Sequence, residues 1–236
     1  CSCGYRRVKP VIWLFALLLL AVFMPSFWVR WVVRRHAGDI SDVLGTGGEL
    51  AEHLIERFEL EGVSAEMTEL GDHYDPQSKM VRLSEENWRG KSLTAVAIAA
   101  HEVGHAIQHH QNDARLNART KLVPIVNLVG QISVGIVAVA PIIGLVTRHP
   151  VPILAIAVIG LSGLLLRMLL HLVTLPTEWD ASFGKALPIL KQGNYIPEEQ
   201  EFAVRRILRA AALTYAAAAL ADAFNLFRWA AILLRR

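Results

Sequence analysis

The chain has 236 residues, of which 53% are hydrophobic and 19% are charged, and its formal net charge is +3 at pH 7. A mean hydropathy of +0.37 is high for a soluble domain and indicates membrane-spanning segments. The mild positive charge suits anionic lipid headgroups, and we expect no nucleic-acid partner because no nucleic-acid-binding motif is present. The two cysteines, Cys1 and Cys3, are one residue apart and offer no disulfide framework.

Four apolar runs are long enough to cross a membrane: Val11 to Val33, Val123 to Val146, Val151 to Leu175 and Leu213 to Leu234. Each has about twenty residues or more, the length that a helix needs to span a hydrocarbon core of about 30 Å. The first run is longer than the apolar part of a signal peptide, so it is interpreted as an anchor. A buried core helix is the alternative for the fourth run, whose first half is mostly alanine.

A polar segment, residues 34–121, separates the first two runs and is large enough for a small folded domain. The stretch Thr46-Gly47-Gly48-Glu49 fits a capping box and predicts a helix that ends at Gly62. Two strands are predicted after it, Val63 to Leu70 and Lys79 to Ser84, with a turn at Asp72 to Pro76 between them. The expected order is therefore a helix, a hairpin and a second helix.

The second helix contains the most informative motif, in an alanine-rich apolar run from Leu93 to Ile107. The stretch His101-Glu102-Val103-Gly104-His105 has the HExxH pattern, and residues four apart lie on the same face of a helix. Two imidazoles so placed could hold one zinc ion, and Glu102 could act as general base toward a water on that ion. The alternative is a buried helix with two incidental histidines.

A catalytic zinc site usually has three protein ligands, so a further residue is needed. His109 lies roughly on the same helix face, but one straight helix cannot easily place three ligands around one ion. Glu178 is the candidate, with Asp180 as its rival, in a segment where Pro176 is predicted to begin a helix. The alternative for Glu178 is an acidic residue that favours the first turn of that helix.

The predicted topology is compatible with Glu178 as the third ligand, because two predicted spans separate it from His105 and return the chain to the same side of the bilayer. The predicted organisation is an N-terminal segment and first span (1–33), a zincin-like catalytic domain (34–121), a hairpin of the second and third spans (122–175), a helical segment with the third ligand (176–210) and a fourth span (211–236). The predicted fold class is thus a mostly α membrane protein with about four transmembrane helices and a small α+β catalytic domain between spans one and two.

Several stretches together resemble the YugP-like family of neutral zinc metallopeptidases of bacterial membranes. They run in the family's order and are Asp72 to Pro76, Val81 to Ser84, Ala99 to His109, Leu122 to Pro124, Val173 to Glu178 and Ala211 to Tyr215. The resemblance implies a membrane-bound metallopeptidase with one zinc ion and Glu178 as the third ligand, a gluzincin-like set. Similar membrane proteases often carry Asp where this chain has Ser182, so no supporting role is implied for that position.

The reaction predicted from these residues is hydrolysis of a peptide bond in a protein or peptide substrate. Glu102 would take a proton from the attacking water and return it to the leaving amine. The developing oxyanion needs a donor besides zinc, and the candidates are His73, Tyr74 and His109. Each has an ordinary alternative as a turn residue, a packed aromatic or a surface helix residue. The strand from Met80 to Ser84 could bind an extended substrate by strand addition, or be an ordinary covered strand.

Two other classes of function are compatible with the motif: a catalytically inactive metal-binding scaffold in the membrane, and a metal-handling protein. The intact Glu102 favours the enzyme over the scaffold. The apolar runs lack the paired polar residues expected of an ion path, which disfavours the metal-handling protein. Substrate identity and oligomeric state are not indicated by the sequence.

The distribution of basic residues predicts the orientation in the bilayer. Lysines and arginines are more numerous on the side that carries the motif, which favours a cytoplasmic catalytic side in a bacterial cell membrane. The basic N-terminus, with Arg6, Arg7 and Lys9, argues for the opposite orientation.

Two charged residues inside the apolar runs need partners, because an isolated charge in a bilayer is costly. Arg167 and Asp222 are expected at comparable depth in the third and fourth spans. We predict that they pair, join the two spans and so keep Glu178 in register with the HExxH helix.

Overall fold

The computed structural model describes residues 20, 23–40, 45–147 and 149–234. These residues are mostly helical and include a small three-stranded sheet. Residues 23–35 form a helix, α1, and residues 11–19, 21 and 22 of the predicted first span, Val11 to Val33, lie outside the described part of the chain.

Helix α2, Gly47–Arg57, begins with the predicted capping box. The Thr46 hydroxyl accepts from the Glu49 amide at 3.2 Å, and the Glu49 carboxylate accepts from the Thr46 amide at 2.8 Å. The predicted end at Gly62 is wrong. Glu59 adopts a φ of +50° and turns the chain back, and the Leu60 amide donates to the carbonyl of Ile55.

The three strands are β1, Ser64–Thr68, β2, His73–Asp75, and β3, Met80–Ser84, in the spatial order β1-β3-β2. The predicted hairpin of the first strand with β3 is wrong, because β1 runs parallel to β3 and the antiparallel partner is β2. Residues 73–75 were expected in a turn.

The turn falls instead just after Asp75, whose carboxylate accepts from the Gln77 amide and the Ser78 hydroxyl. A φ of +52° at Lys79 then reverses the chain into β3. Strand addition of a substrate to β3 is also excluded, because Val81 stands between Ala65 on one side and Tyr74 on the other.

Two helices follow the sheet, α3, Glu85–Arg89, and α4, Leu93–His110. The Ser92 hydroxyl caps α4 by accepting from the Ala95 amide, and the residues of α4 are buried from Leu93 to Gln108. The prediction of a helix that carries HExxH is confirmed. Burial on all sides follows from its position between α2, the sheet and the helices that come next.

The rest of the chain is helical: α5, Ala114–Ala138, α6, Ala140–Thr147, α7, Pro150–Trp179, α8, Leu187–Gln192, and α9, Glu201–Leu234. A π-helical turn, Asp180–Ala186, joins α7 to α8, and a 3₁₀ turn, Glu198–Gln200, precedes α9. Helix α7 packs against both α5 and α9. Pro176 lies inside α7 and begins no new helix, contrary to prediction, because α7 continues without a break into the π-helical turn.

Among the described residues, two helical stretches are long and apolar enough to cross a membrane, Val151–Gln192 and Glu198–Arg228. They contain most of the predicted third and fourth runs. The predicted second run, Val123 to Val146, is divided at Val139 between α5 and α6. Large apolar side chains of α5, α6 and α7 are exposed, among them Ile125, Leu128, Ile142, Leu145, Leu154 and Val158. A surface of this kind is typical of a lipid-facing bundle.

Candidate metal site

Helix α4 presents the two histidines of HExxH to the interior. His101 and His105 are each 4% exposed, and their ring centroids are 4.8 Å apart in an edge-to-face arrangement. The spacing of four residues places them on one face of the helix, as the sequence predicts.

Glu178 reaches these histidines from the last turn of α7 and is 3% exposed. Its Oε2 atom lies 3.2 Å from Nε2 of His101 and 3.5 Å from Nε2 of His105. In a tetrahedral zinc site with bonds of about 2.0–2.1 Å, ligand atoms stand about 3.3 Å apart. The three side chains, which we call the triad, could therefore hold one metal ion, and two nitrogens with one carboxylate oxygen suit zinc.

The ring of His101 is fixed from behind by Ser182 of the π-helical turn. The Ser182 hydroxyl lies 3.0 Å from Nδ1 of His101 and 3.1 Å from the carbonyl of Leu208. A carbonyl can only accept, so the hydroxyl donates to Leu208 and accepts from the N–H at Nδ1. This hydrogen-bond network assigns the tautomer in which Nε2 of His101 carries a free lone pair toward Glu178.

The ring of His105 is fixed in the same way by Gln108. Its Nδ1 donates to Oε1 of Gln108 at 2.9 Å. The amide nitrogen of Gln108 donates in turn to the Thr177 carbonyl at 3.0 Å and to Asp180 Oδ2 at 2.8 Å. Asp180, the rival ligand, thus orients Gln108 and stands outside the triad.

Gly104 permits the close approach on which the site depends. A Cβ atom at this position would lie 2.9 Å from the Ala181 carbonyl oxygen and 3.3 Å from Cβ of Lys185. Only glycine lets α4 approach the π-helical turn so closely, and this approach brings Ser182 within reach of His101.

Glu102 follows His101 on the buried helix and is 7% exposed. Burial raises the pKa of Glu102 to about 7, against the opposing effect of the nearby His101 imidazole, and the charge of Glu178 adds to the increase. A carboxyl group poised near neutral pH can both accept and release a proton.

A basic residue and a tyrosine complete the surroundings of Glu178. Arg119 Nη1 lies 2.8 Å from Oε1 of Glu178, and Arg119 Nη2 donates to the hydroxyl of Tyr215 at 2.6 Å. Sequence reasoning did not single out either residue as part of the site, although Tyr215 ends one of the family-like stretches.

The three predicted oxyanion donors have partners elsewhere. The Tyr74 hydroxyl and Nδ1 of His109 are hydrogen-bonded at 2.7 Å, and both residues line a cavity of about 220 Å³ to which the triad does not contribute. Nδ1 of His73 lies 2.8 Å from the Gly71 carbonyl. Burial raises the pKa of Tyr74 to about 12 and lowers that of His109, so both are neutral near pH 7.

The sequence is similar to known proteins over almost its whole length. The model of a family described as "Putative neutral zinc metallopeptidase" matches residues 11–234. The "Putative membrane protease YugP" of Bacillus subtilis (strain 168) is 35% identical over 229 residues, which are 94% of this chain and 97% of that protein. No solved structure matches the chain.

Proposed function

The chain belongs to the neutral zinc metallopeptidase family, and we propose that it is a membrane-bound endopeptidase with one zinc ion held by His101, His105 and Glu178. The observation that carries this proposal is the convergence of two Nε2 atoms and one carboxylate oxygen in a buried cluster. Both rings already present a free Nε2 lone pair, because their Nδ1 atoms donate to Ser182 and Gln108.

A zinc ion bound there would polarise the scissile carbonyl and lower the pKa of a bound water toward about 7. Glu102 accepts the proton of the attacking water and delivers it to the leaving amine. Its buried position next to His101 on α4 supports this role, because it puts the carboxyl group beside the proposed metal site.

The site sits where the polar segment meets the apolar helices. Glu178 lies at the end of α7, and α4, which carries both histidines, packs against α9 and the π-helical turn, which belong to the candidate membrane spans. We propose four spans in a bacterial cell membrane, with the catalytic side in the cytoplasm and protein or peptide chains as substrates. The exposed apolar residues of α5, α6 and α7 support the membrane placement.

The test is to purify the wild-type protein and the Glu102→Gln variant in detergent and to measure zinc content and cleavage of fluorescein-labelled casein. We expect Glu102→Gln to keep its zinc and to lose about 100- to 10,000-fold in cleavage rate, the usual contribution of a general acid–base group. Zinc without any cleavage by the wild type would support the inactive scaffold instead. Equal cleavage by both proteins would contradict the role of Glu102.

A further inference from the structure

Arg119 stands between the triad and the apolar helix bundle. It is in the second turn of α5, and its side chain is 22% exposed. One guanidinium nitrogen forms an ion pair with Oε1 of Glu178 at 2.8 Å without hydrogen-bond geometry, and the other donates a hydrogen bond to the hydroxyl of Tyr215. The guanidinium carbon also lies 5.2 Å from the centre of the Tyr215 ring. Arg119 is therefore oriented by its hydrogen bond to Tyr215, and this orientation brings its positive charge to Oε1 of Glu178.

The contacts of Glu178 divide its two oxygens between different partners. Oε2 faces both histidine Nε2 atoms, whereas Oε1 faces Arg119. A carboxylate engaged in this way offers a metal ion one oxygen and not two. Bound by one carboxylate oxygen and two imidazoles, a tetrahedral metal ion would keep its fourth position open for water.

The three residues come from three helices that pack together. Arg119 is on α5, Glu178 on α7 and Tyr215 on α9. Because α7 packs against both other helices, the position of Glu178 depends on α5 and α9 as well as on α7. A buried carboxylate also needs a countercharge, and Arg119 supplies it.

We propose that Arg119 is a positioning residue that restricts Glu178 to single-oxygen coordination, and that Tyr215 holds Arg119 in place for this role. The proposal rests on the zinc peptidase function proposed above. It predicts that the coordination of the metal changes when Arg119 is replaced, even where metal binding and folding survive.

Cobalt(II) reports this coordination directly, because its visible absorption weakens when a four-coordinate site becomes five-coordinate. We would load the wild type, Arg119→Gln, Arg119→Lys and Tyr215→Phe with Co²⁺ and record the visible spectrum, metal content and Tm. Arg115→Gln is the matched control, since Arg115 lies one turn earlier on α5 and pairs with Asp113 at the surface.

We expect Arg119→Gln to bind cobalt with weaker bands than the wild type, because its freed Oε1 becomes a second ligand atom. Arg119→Lys, which keeps the charge, should restore most of the wild-type intensity, Tyr215→Phe should fall between them, and Arg115→Gln should match the wild type. A Gln variant with lower Tm and an unchanged spectrum would reduce Arg119 to a packing role and overturn the proposal.

The two proposals fail in different ways. A wild-type protein that binds no cobalt would overturn the metal site, and the role of Arg119 with it. A wild type with one cobalt whose spectrum is the same in Arg119→Gln overturns the positioning role alone and leaves the metal site standing.

Discussion

His101 is oriented by a hydroxyl group and not by a carboxylate. The Ser182 hydroxyl can accept from His101 only because its own proton goes to the Leu208 carbonyl. The similar membrane proteases often carry Asp at this position, which left the role of Ser182 open, and in this structure its hydroxyl lies against Nδ1 of His101. A hydroxyl leaves the ring less basic than a carboxylate would, because no negative charge faces Nδ1.

We expect Ser182→Ala to bind zinc about 10- to 100-fold more weakly than the wild type, which is the usual effect of removing a partner of a ligating histidine. Competition with a chelator measures the affinity. Ser162→Ala is the matched control, because Ser162 is an exposed residue of α7 whose hydroxyl donates to the carbonyl of Val158 in its own helix. Equal affinities of Ser182→Ala and the wild type would contradict the proposed support of His101.

Gly104 lies between the two histidines and offers a test of the close approach. The added methyl group of Gly104→Ala would meet the Ala181 carbonyl at 2.9 Å. We expect it to destabilise the fold by about 1–3 kcal/mol and to weaken zinc binding, because overpacking displaces the π-helical turn from α4. Thermal unfolding and zinc titration measure both effects.

The control for Gly104→Ala is Gly130→Ala on α5, where an added Cβ meets no atom within 4 Å. It should keep wild-type zinc affinity and gain slightly in stability, since alanine favours the helix. If Gly104→Ala matches this control in stability and zinc affinity, α4 and the π-helical turn can move apart without loss of either, and the proposed need for glycine is contradicted.

At the scale of helices, α7, which carries Glu178, packs against α9. Arg167 Nε and Asp222 Oδ2 are 3.0 Å apart, which confirms the predicted pair, and Nε2 of His171 lies 3.4 Å from the same Asp222 oxygen. Asp222 is 3% exposed, so the pair compensates a charge that is otherwise costly inside the bundle. That the pair holds Glu178 in register stays a prediction.

We expect Asp222→Asn to lower both Tm and zinc content, because Arg167 loses its countercharge and α7 can shift along α9. The exchange variant, Arg167→Asp with Asp222→Arg, should recover part of the stability if the ion pair is what matters. Unchanged Tm and zinc content in Asp222→Asn would refute the coupling of this pair to the site.

At the scale of the whole molecule, orientation in the bilayer can be tested with single cysteines. In a background in which Cys1 and Cys3 are serine, Asn112→Cys probes the catalytic side and His149→Cys the opposite side, and both positions are exposed. With a membrane-impermeant maleimide on intact cells, we expect labelling at 149 and none at 112 until lysis. The reverse pattern would place the catalytic side outside the cytoplasm.

Several features were predictable because they depend on local chemistry or on strict spacing. The capping box at Thr46 and Glu49 and the helix that carries HExxH follow from side-chain patterns within one element. The proximity of Glu178 to the two histidines was predicted from the family resemblance and from the number of spans between them. The Arg167–Asp222 pair followed from the cost of a lone charge in an apolar helix.

Other features depend on tertiary contacts that the sequence does not express locally. Strand β2 has only three residues and looks like a turn because it is an edge strand completed by β3. The π-helical turn has no sequence pattern of its own, and it lies where Ser182 contacts His101 of α4. Arg119 and Tyr215 are distant in sequence from the triad, so only the packing of α5, α7 and α9 brings them to Glu178.

The most direct test of the central claim is the zinc content of the purified protein, measured by elemental analysis for the wild type, Glu178→Ala and Asp180→Ala. We predict close to one zinc per chain in the wild type and in Asp180→Ala, and a loss of zinc in Glu178→Ala. Zinc retained in Glu178→Ala, or no zinc in the wild type, would contradict the site of His101, His105 and Glu178.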